Sequence, residues 1–232
     1  LTDWRGTYHG AAAALLSPAT TAQVSQIMAL CHAHHVAVVP QGGNSGMVGG
    51  ATPDGSGDQL LLSLRRMNSV RQLDAEAQFV TLDAGVILEN LHNLASDHGL
   101  RFPLTLGGKG SATIGGLVST NAGGTQVLRH GNMRQLVAGL EVVLPDGQIL
   151  DTLSPLKKDN RGYDLRHLFC GAEGTLGIVT AATLHLVPMA RARQTAWVGL
   201  NHVDQTLSLL RQLDPSLGGM LEGFDIIPQS CL

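Results

Sequence analysis

Sixteen of the chain's 29 glycines fall between Gly42 and Gly124, and they interrupt good strand and helix patterns there. Glycine is about 12% of the 232 residues, against a usual share near 7%. Low-complexity disorder would not alternate with apolar runs suited to buried strands. The backbone in this region must therefore turn sharply, or come very close to something, many times over.

The segments around the glycines read as a mixture. Thr20 or Thr21 caps a predicted helix with Val24, Ile27, Met28 and Cys31 on one face, ending near His35. Val36 to Val39 is a short apolar strand stopped by Pro40, and Leu60 to Leu64 is a second buried strand. Val70 to Leu73 and Phe79 to Asp83 predict a hairpin. Ile87 to His98 predicts a helix, with Gly99 in the capping position. Leu140 to Leu144 and Gln148 to Leu153 flank a Pro145-Asp146-Gly147 turn. Ile178 to Val187 predicts a strand, and Val203 to Leu213 a last amphipathic helix. This order predicts an α+β fold, not a regular doubly wound sheet.

Charge and cysteine content narrow the classes. With 15 Lys and Arg against 18 Asp and Glu, there is no basic stripe for nucleic acid. No stretch of 18 residues is free of polar side chains, so no transmembrane segment is expected, and none resembles a signal peptide. Cys31, Cys170 and Cys231 are odd in number and far apart. They read as reduced thiols in a cytoplasmic protein. The histidines at 32, 34 and 35 gather at a helix end, where an interaction with the helix dipole is the commoner role than a metal site.

Glycine-rich loops hold phosphates because unencumbered N–H groups converge on an anion at low steric cost. The dinucleotide fingerprint G-x-G-x-x-G is absent: Gly55/Gly57 and Gly108/Gly110 start it, but Leu60 and Thr113 fill the third place. The P-loop is absent too, because Lys109 is followed by Gly110 and neither Lys157 nor Lys158 follows a glycine. Two other loops remain. One is Pro40 to Gly50, directly after a strand, where Asn44 and Ser45 add side-chain donors. The other runs from Pro103 through Gly107-Gly108 and Gly115-Gly116 to Gly123-Gly124, suited to a long surface against a flat ligand.

Four stretches carry a family likeness: Val39 to Gly50, Ile114 to Gly124, Lys158 to Leu165 and Gly171 to Ile178. They resemble the flavoproteins of the vanillyl-alcohol oxidase and p-cresol methylhydroxylase type, which bind FAD on a two-subdomain α+β fold that is not Rossmann. Within these, the likeness is to D-2-hydroxyacid dehydrogenases: D-lactate dehydrogenases, the glycolate oxidase FAD subunit and D-2-hydroxyglutarate dehydrogenase. The resemblance implies an FAD-binding domain over residues 1–190. Residues 191–232 would be a linker and the start of a truncated substrate domain.

The same resemblance implies roles. Gly42, Gly43, Asn44, Ser45 and Gly46 would form the pyrophosphate loop, with Pro40, Gln41 and Met47 at its edges. Pro103, Leu104, Gly107, Gly108, Ser111, Ile114, Gly115 and Gly116 would line the ribityl, pyrophosphate and adenine segments. Thr120, Asn121, Ala122, Gly123 and Gly124 would approach the isoalloxazine, and Glu173, Gly174, Gly177 and Ile178 would close the pocket. Lys158 and Asn160 would neighbour it. Relatives that link FAD covalently often place a histidine in the first loop, where this chain has Asn44, so the flavin is expected to be non-covalent. His130 stands where many relatives have an aromatic residue before the glycine, which puts local flavin contacts there in question.

Oxidising a 2-hydroxy acid needs a cation for the carboxylate, a base for the hydroxyl proton and a hydride acceptor. The resemblance places the first two in a C-terminal substrate domain whose opening Leu221 to Asp225 resembles, so no catalytic residue or metal ligand is assigned within this chain. The expected partners are a small 2-hydroxy acid and an electron acceptor, a quinone or a flavoprotein carrier; a homodimer is compatible. A sugar-lactone oxidase, a UDP-N-acetylmuramate dehydrogenase-type reductase and a non-catalytic flavin-binding subunit stay open as alternatives.

Overall fold

The computed structural model describes residues 1–231. In chain order its elements are β1 (Ala14–Leu16), α1 (Thr21–Ala33), β2 (Val38–Gln41), β3 (Leu60–Ser63), β4 (Val70–Asp74), β5 (Phe79–Asp83), α2 (Leu88–Asp97) and β6 (Leu100–Arg101). Then come α3 (Ile114–Ser119), α4 (Val127–His130), α5 (Met133–Leu136), β7 (Val137–Val143), β8 (Ile149–Asp151), α6 (Arg166–Phe169), β9 (Ile178–His185), β10 (Val187–Pro188) and α7 (Asp204–Ser216).

Two sheets organise these elements. A parallel three-stranded sheet has the order β1-β3-β2, with Leu61 paired to Leu15 on one side and Val39 on the other. An antiparallel five-stranded sheet has the order β4-β5-β9-β7-β8, and Ala182 is paired to both Leu82 and Leu140. Every residue of β5 and β7 is buried, and β9 is buried up to its last residue. These strands are covered on both faces, which is why they read as near-continuous apolar runs. Leu82, Leu140 and Leu184 on the strands join Leu88 and Leu91 of α2, Ile114 of α3 and Met133 of α5 in one core. Burying each such side chain is worth about 1.5–3 kcal/mol.

Local chemistry sets the ends. The Thr20 hydroxyl accepts from the Gln23 amide at 3.2 Å and caps α1. The predicted Pro145-Asp146-Gly147 turn joins β7 to β8, with Gly147 at φ +90°. There a Cβ would stand 2.7 Å from the Ser25 carbonyl oxygen, so this turn also serves as the seat for α1.

Three boundaries differ from the sequence reading. Pro40 does not stop β2 but lies inside it, paired with Leu62. β2 is an edge strand, where a residue without an N–H is tolerated. The strand predicted to end at Val187 divides after His185, and its tail pairs with β6 as a separate ribbon. The last helix runs on to Ser216 and includes Pro215. Helix α3 was hidden from periodicity by its own Gly115 and Gly116. Residues 189–203 carry no helix or strand.

Candidate functional site

A cleft of about 850 Å³ opens beyond the end of β2. This is near the upper end of the range for small-molecule and cofactor sites. Its walls include Pro40, Gln41, Gly42, Gly43, Asn44, Ser45, Gly46 and Met47 from the first loop, and Gly107, Gly108, Ser111, Gly115 and Gly116 from the second. Thr120 and Ala122 follow α3, and Glu173, Gly174, Gly177 and Ile178 lead into β9. So the two glycine loops, more than fifty residues apart in sequence, are neighbours in space.

The loops meet backbone to backbone. A Cβ on Gly43 would lie 1.8 Å from the Ser111 carbonyl oxygen, and one on Gly42 would lie 2.2 Å from the Thr113 hydroxyl oxygen. Gly174, at φ +82°, faces Pro40, whose Cγ would be 2.6 Å from a Cβ there. Asn44 and Glu173 also hold left-handed backbone, at φ 54° and 52°. Non-glycine residues in this region cost strain, and such strain concentrates at ligand sites. Side-chain hydrogen bonds tie the first loop down. The Gln41 side-chain amide donates to the Ala51 carbonyl at 2.8 Å, and that of Asn44 donates to the Thr2 carbonyl at 2.8 Å.

The donors left over define the chemistry. Among the described residues, the backbone N–H groups of residues 42–48, Gly107, Gly108 and Gly116 donate to no other protein group. The Thr113 hydroxyl is buried with no hydrogen-bond partner among the described residues. Among the described wall residues, Glu173 has the only charged side chain, and no lysine, arginine or histidine is present. An anion in this cleft would be held by amide dipoles, as in phosphate-binding loops elsewhere. A flavin dinucleotide fits that donor set: a diphosphate for the amides, and apolar surface from Leu64, Leu106, Leu117 and Val179 for flat rings.

Six of the residues singled out from sequence stand off the walls. Leu104 and Ile114 are core side chains, 1% and 0% exposed, and Pro103 is buried beside Leu104. The Asn121 carboxamide turns away to accept from the Arg134 amide at 2.9 Å. Gly123 is exposed, and Gly124 packs on the Thr105 backbone. Lys158 and Asn160 are exposed on the surface. His130 lies apart from the cleft, 3.6 Å from Glu222, which also receives Arg101 and Arg129. The guanidinium of Arg101 brings the Glu222 carboxyl down to about 2.

Conversely, Trp4, Ala51, Leu64 and Ala84, outside both named loops, and Val48, Gly50, Ala112, Thr113 and Ser119, within them but given no role of their own, also wall the cleft. Most are small or apolar and carry no signal alone. Thr113 was the readable one, a hydroxyl between two glycine pairs at the start of a helix.

Known proteins bear on this geometry. The FAD binding domain family matches residues 12–153. D-2-hydroxyglutarate dehydrogenase, mitochondrial, of Danio rerio is 44% identical over 230 residues, which is 99% of this chain and 43% of that protein. The Bos taurus protein of the same name is 43% identical over 99% of this chain and 42% of its own length. D-2-hydroxyglutarate–pyruvate transhydrogenase DLD3 of Saccharomyces cerevisiae is 40% identical over 99% and 46%. The chain thus spans less than half the length of these relatives. A solved alkyldihydroxyacetonephosphate synthase superposes with a TM-score of 0.66 at 26% identity, covering 77% of this chain and 31% of that one. The expectation of a cytoplasmic protein is corrected by these names, since the Danio and Bos relatives are both called mitochondrial; the cysteine pattern that suggested it reports only a reducing compartment. With the family match spanning most of the chain and a cleft lined by unpaired amides, this protein belongs to the FAD binding domain family.

Proposed function

We propose that this chain is the flavin-holding part of a D-2-hydroxyacid dehydrogenase of the 2-hydroxyglutarate class. The observation that carries the reading is one cleft walled by two glycine loops whose N–H groups at 42–48, 107, 108 and 116, and whose Thr113 hydroxyl, have no hydrogen-bond partner among the described residues. Bound there, FAD would accept a hydride from the substrate carbon through its N5 atom. Residues 42–46 hold the diphosphate, Gly107 to Gly116 follow the dinucleotide between the loops, and Thr120, Ala122 and Glu173 to Ile178 bound its remaining end. No histidine stands in the first loop, so the flavin is held without a covalent bond.

Among the described residues, the cleft has no cation to hold a carboxylate and no imidazole to accept a hydroxyl proton. Both groups therefore come from outside residues 1–190, with residues 191–232 leading towards them. Electrons leave to a quinone or a flavoprotein carrier.

The test is a spectrum of the purified chain titrated with FAD, followed by acid precipitation. The expected outcome is saturable binding with flavin bands near about 370 and 450 nm, a colourless pellet and a yellow supernatant. Absence of binding would overturn the cofactor reading, and a yellow pellet the non-covalent one. Rapid oxidation of D-2-hydroxyglutarate by this chain alone would overturn the placement of the cation and base.

A further inference from the structure

One large aromatic residue at the cleft has no structural reason to be there. Trp4 is 58% exposed, yet it is one of the residues that line the cleft. The segment that presents it is hydrogen-bonded to itself. The Asp3 carboxylate accepts from the amides of Thr7 and Tyr8, each at 2.7 Å, and Thr2 bridges back to His9. This small turned structure is fastened to the candidate diphosphate loop twice. The Asn44 carboxamide donates to the Thr2 carbonyl at 2.8 Å, and the Tyr8 ring packs where a Cβ on Gly49 would fall, 2.7 Å away. The Arg5 guanidinium lies 5.4 Å from the indole centroid and covers one face of the ring. More than half of the Trp4 surface remains exposed, at a residue that lines the cleft.

An exposed indole costs hydration unless something flat covers it, and holding it on a pinned turn removes the entropy that stacking would otherwise lose. We infer that residues 2–9 form a strap over the mouth of the cleft and that Trp4 stacks on a planar ring of the bound dinucleotide, with Arg5 backing the indole. This rests on the flavin reading above and adds to it a residue that grips the ligand through π-contact where the loops grip it through amides. The same Asn44 that stands in the diphosphate loop then sets the position of the strap, so loop and strap close as one unit.

The experiment uses the Trp197→Phe chain, in which Trp4 is the remaining tryptophan. Trp197 is 78% exposed, within the stretch that lacks regular structure. Trp4→Ala and Trp4→Phe are compared in that background for binding of FAD, ADP and riboflavin, with circular dichroism to check folding. The expected result is that Trp4→Ala weakens FAD binding by about five- to tenfold, as loss of a base–aromatic stack does, while Trp4→Phe restores most of it. Loss of ADP binding together with quenching of Trp4 emission by ADP identifies the adenine as the stacked ring. Loss of riboflavin binding with ADP unaffected identifies the isoalloxazine. Equal FAD affinity in Trp4→Ala and its parent would overturn the strap while leaving the flavin site standing. If the parent binds no FAD at all, it is the flavin reading that fails.

Discussion

The cleft and the five-stranded sheet handle polar groups in opposite ways. Between β4, β5, β7 and β9 every buried charge meets a side chain. Arg71 donates to Asp83 at 2.7 Å and to Glu141 at 2.9 Å, and Glu141 also receives the hydroxyls of Thr21 at 2.6 Å and Thr180 at 2.8 Å. At the cleft the main-chain amides of residues 42–48, Gly107, Gly108 and Gly116 are left unpaired among the described residues, while the loops that carry them are locked by glycine contacts. A network that satisfies itself has nothing left for a ligand, and so stabilises the fold. A loop of unsatisfied donors held open by close backbone packing is preorganised for something else. The contrast separates structural polarity from functional polarity without reference to charge.

The sharpest way to break this contrast is at the contact that holds the loops together. Gly43→Ala puts a methyl 1.8 Å from a carbonyl oxygen, and backbone cannot yield as a side-chain tip would. FAD retention should fall at least about tenfold, because a small displacement of preorganised donors undoes their convergence. Gly55→Ala, in open space outside the cleft wall, is the matched control and should bind as the parent does. Equal FAD content in the two purified variants would show that loop packing does not set the site.

The opposite outcome is expected in the sheet. Arg71→Ala leaves Glu141 and Asp83 without their shared cation and should cost about 2–3 kcal/mol of stability, read as a shift in the urea midpoint, while the folded fraction still binds FAD normally. The pH dependence follows from Glu141. Burial pushes its carboxyl up, but Arg71 and the hydroxyls of Thr21 and Thr180 outweigh burial and hold it below its ordinary value of 4.5. The unfolded chain therefore binds the proton first, and stabilisation present above about pH 4.5 is lost as pH falls through the folded-state value. In Glu141→Gln the urea midpoint should vary less between pH 5 and pH 3 than it does in the parent. An unchanged slope would remove Glu141 from the account.

How much of this was legible in the residues differs between the same two regions. The glycine loops were readable because a loop that works through its backbone must discard side chains, and that shows directly in composition. Their meeting in space was not readable. It depends on α3, whose Gly115 lies against Ala84 so closely that a Cβ would be 2.7 Å from the Ala84 methyl, and those glycines erase the helical period that would have announced the helix. Pro40 misled for a related reason: a proline stops a central strand but not an edge strand, and edge position is a property of the sheet, not of the sequence around it. The Arg71–Glu141 network was silent, since its members are 70 residues apart and none stands out alone.

Glu222 anchors a third polar cluster, apart from both the cleft wall and the five-stranded sheet. Its carboxylate, at about 2, is held down first by Arg101 and then by further interactions that include His130, and it fastens residues 221–223 to β6 and α4. His130 is pushed down in turn by burial and by Arg101 and Arg129, so at neutral pH it stays an uncharged partner. Like the Arg71 network, this cluster is made of side chains; like the strap at Trp4, it attaches a peripheral segment to the core. If its role is attachment alone, Glu222→Gln should leave FAD affinity within about twofold and the global urea midpoint nearly unchanged, because surface-linked segments open locally at little cost to the whole. The change should instead appear as faster amide hydrogen exchange confined to residues near 221–225. In the parent, that protection should hold down to about pH 4.5 and fade only as pH approaches 2. Protection that survives in Glu222→Gln would mean that the segment is held by the packing of Gly223 against the Thr125 carbonyl and not by charge.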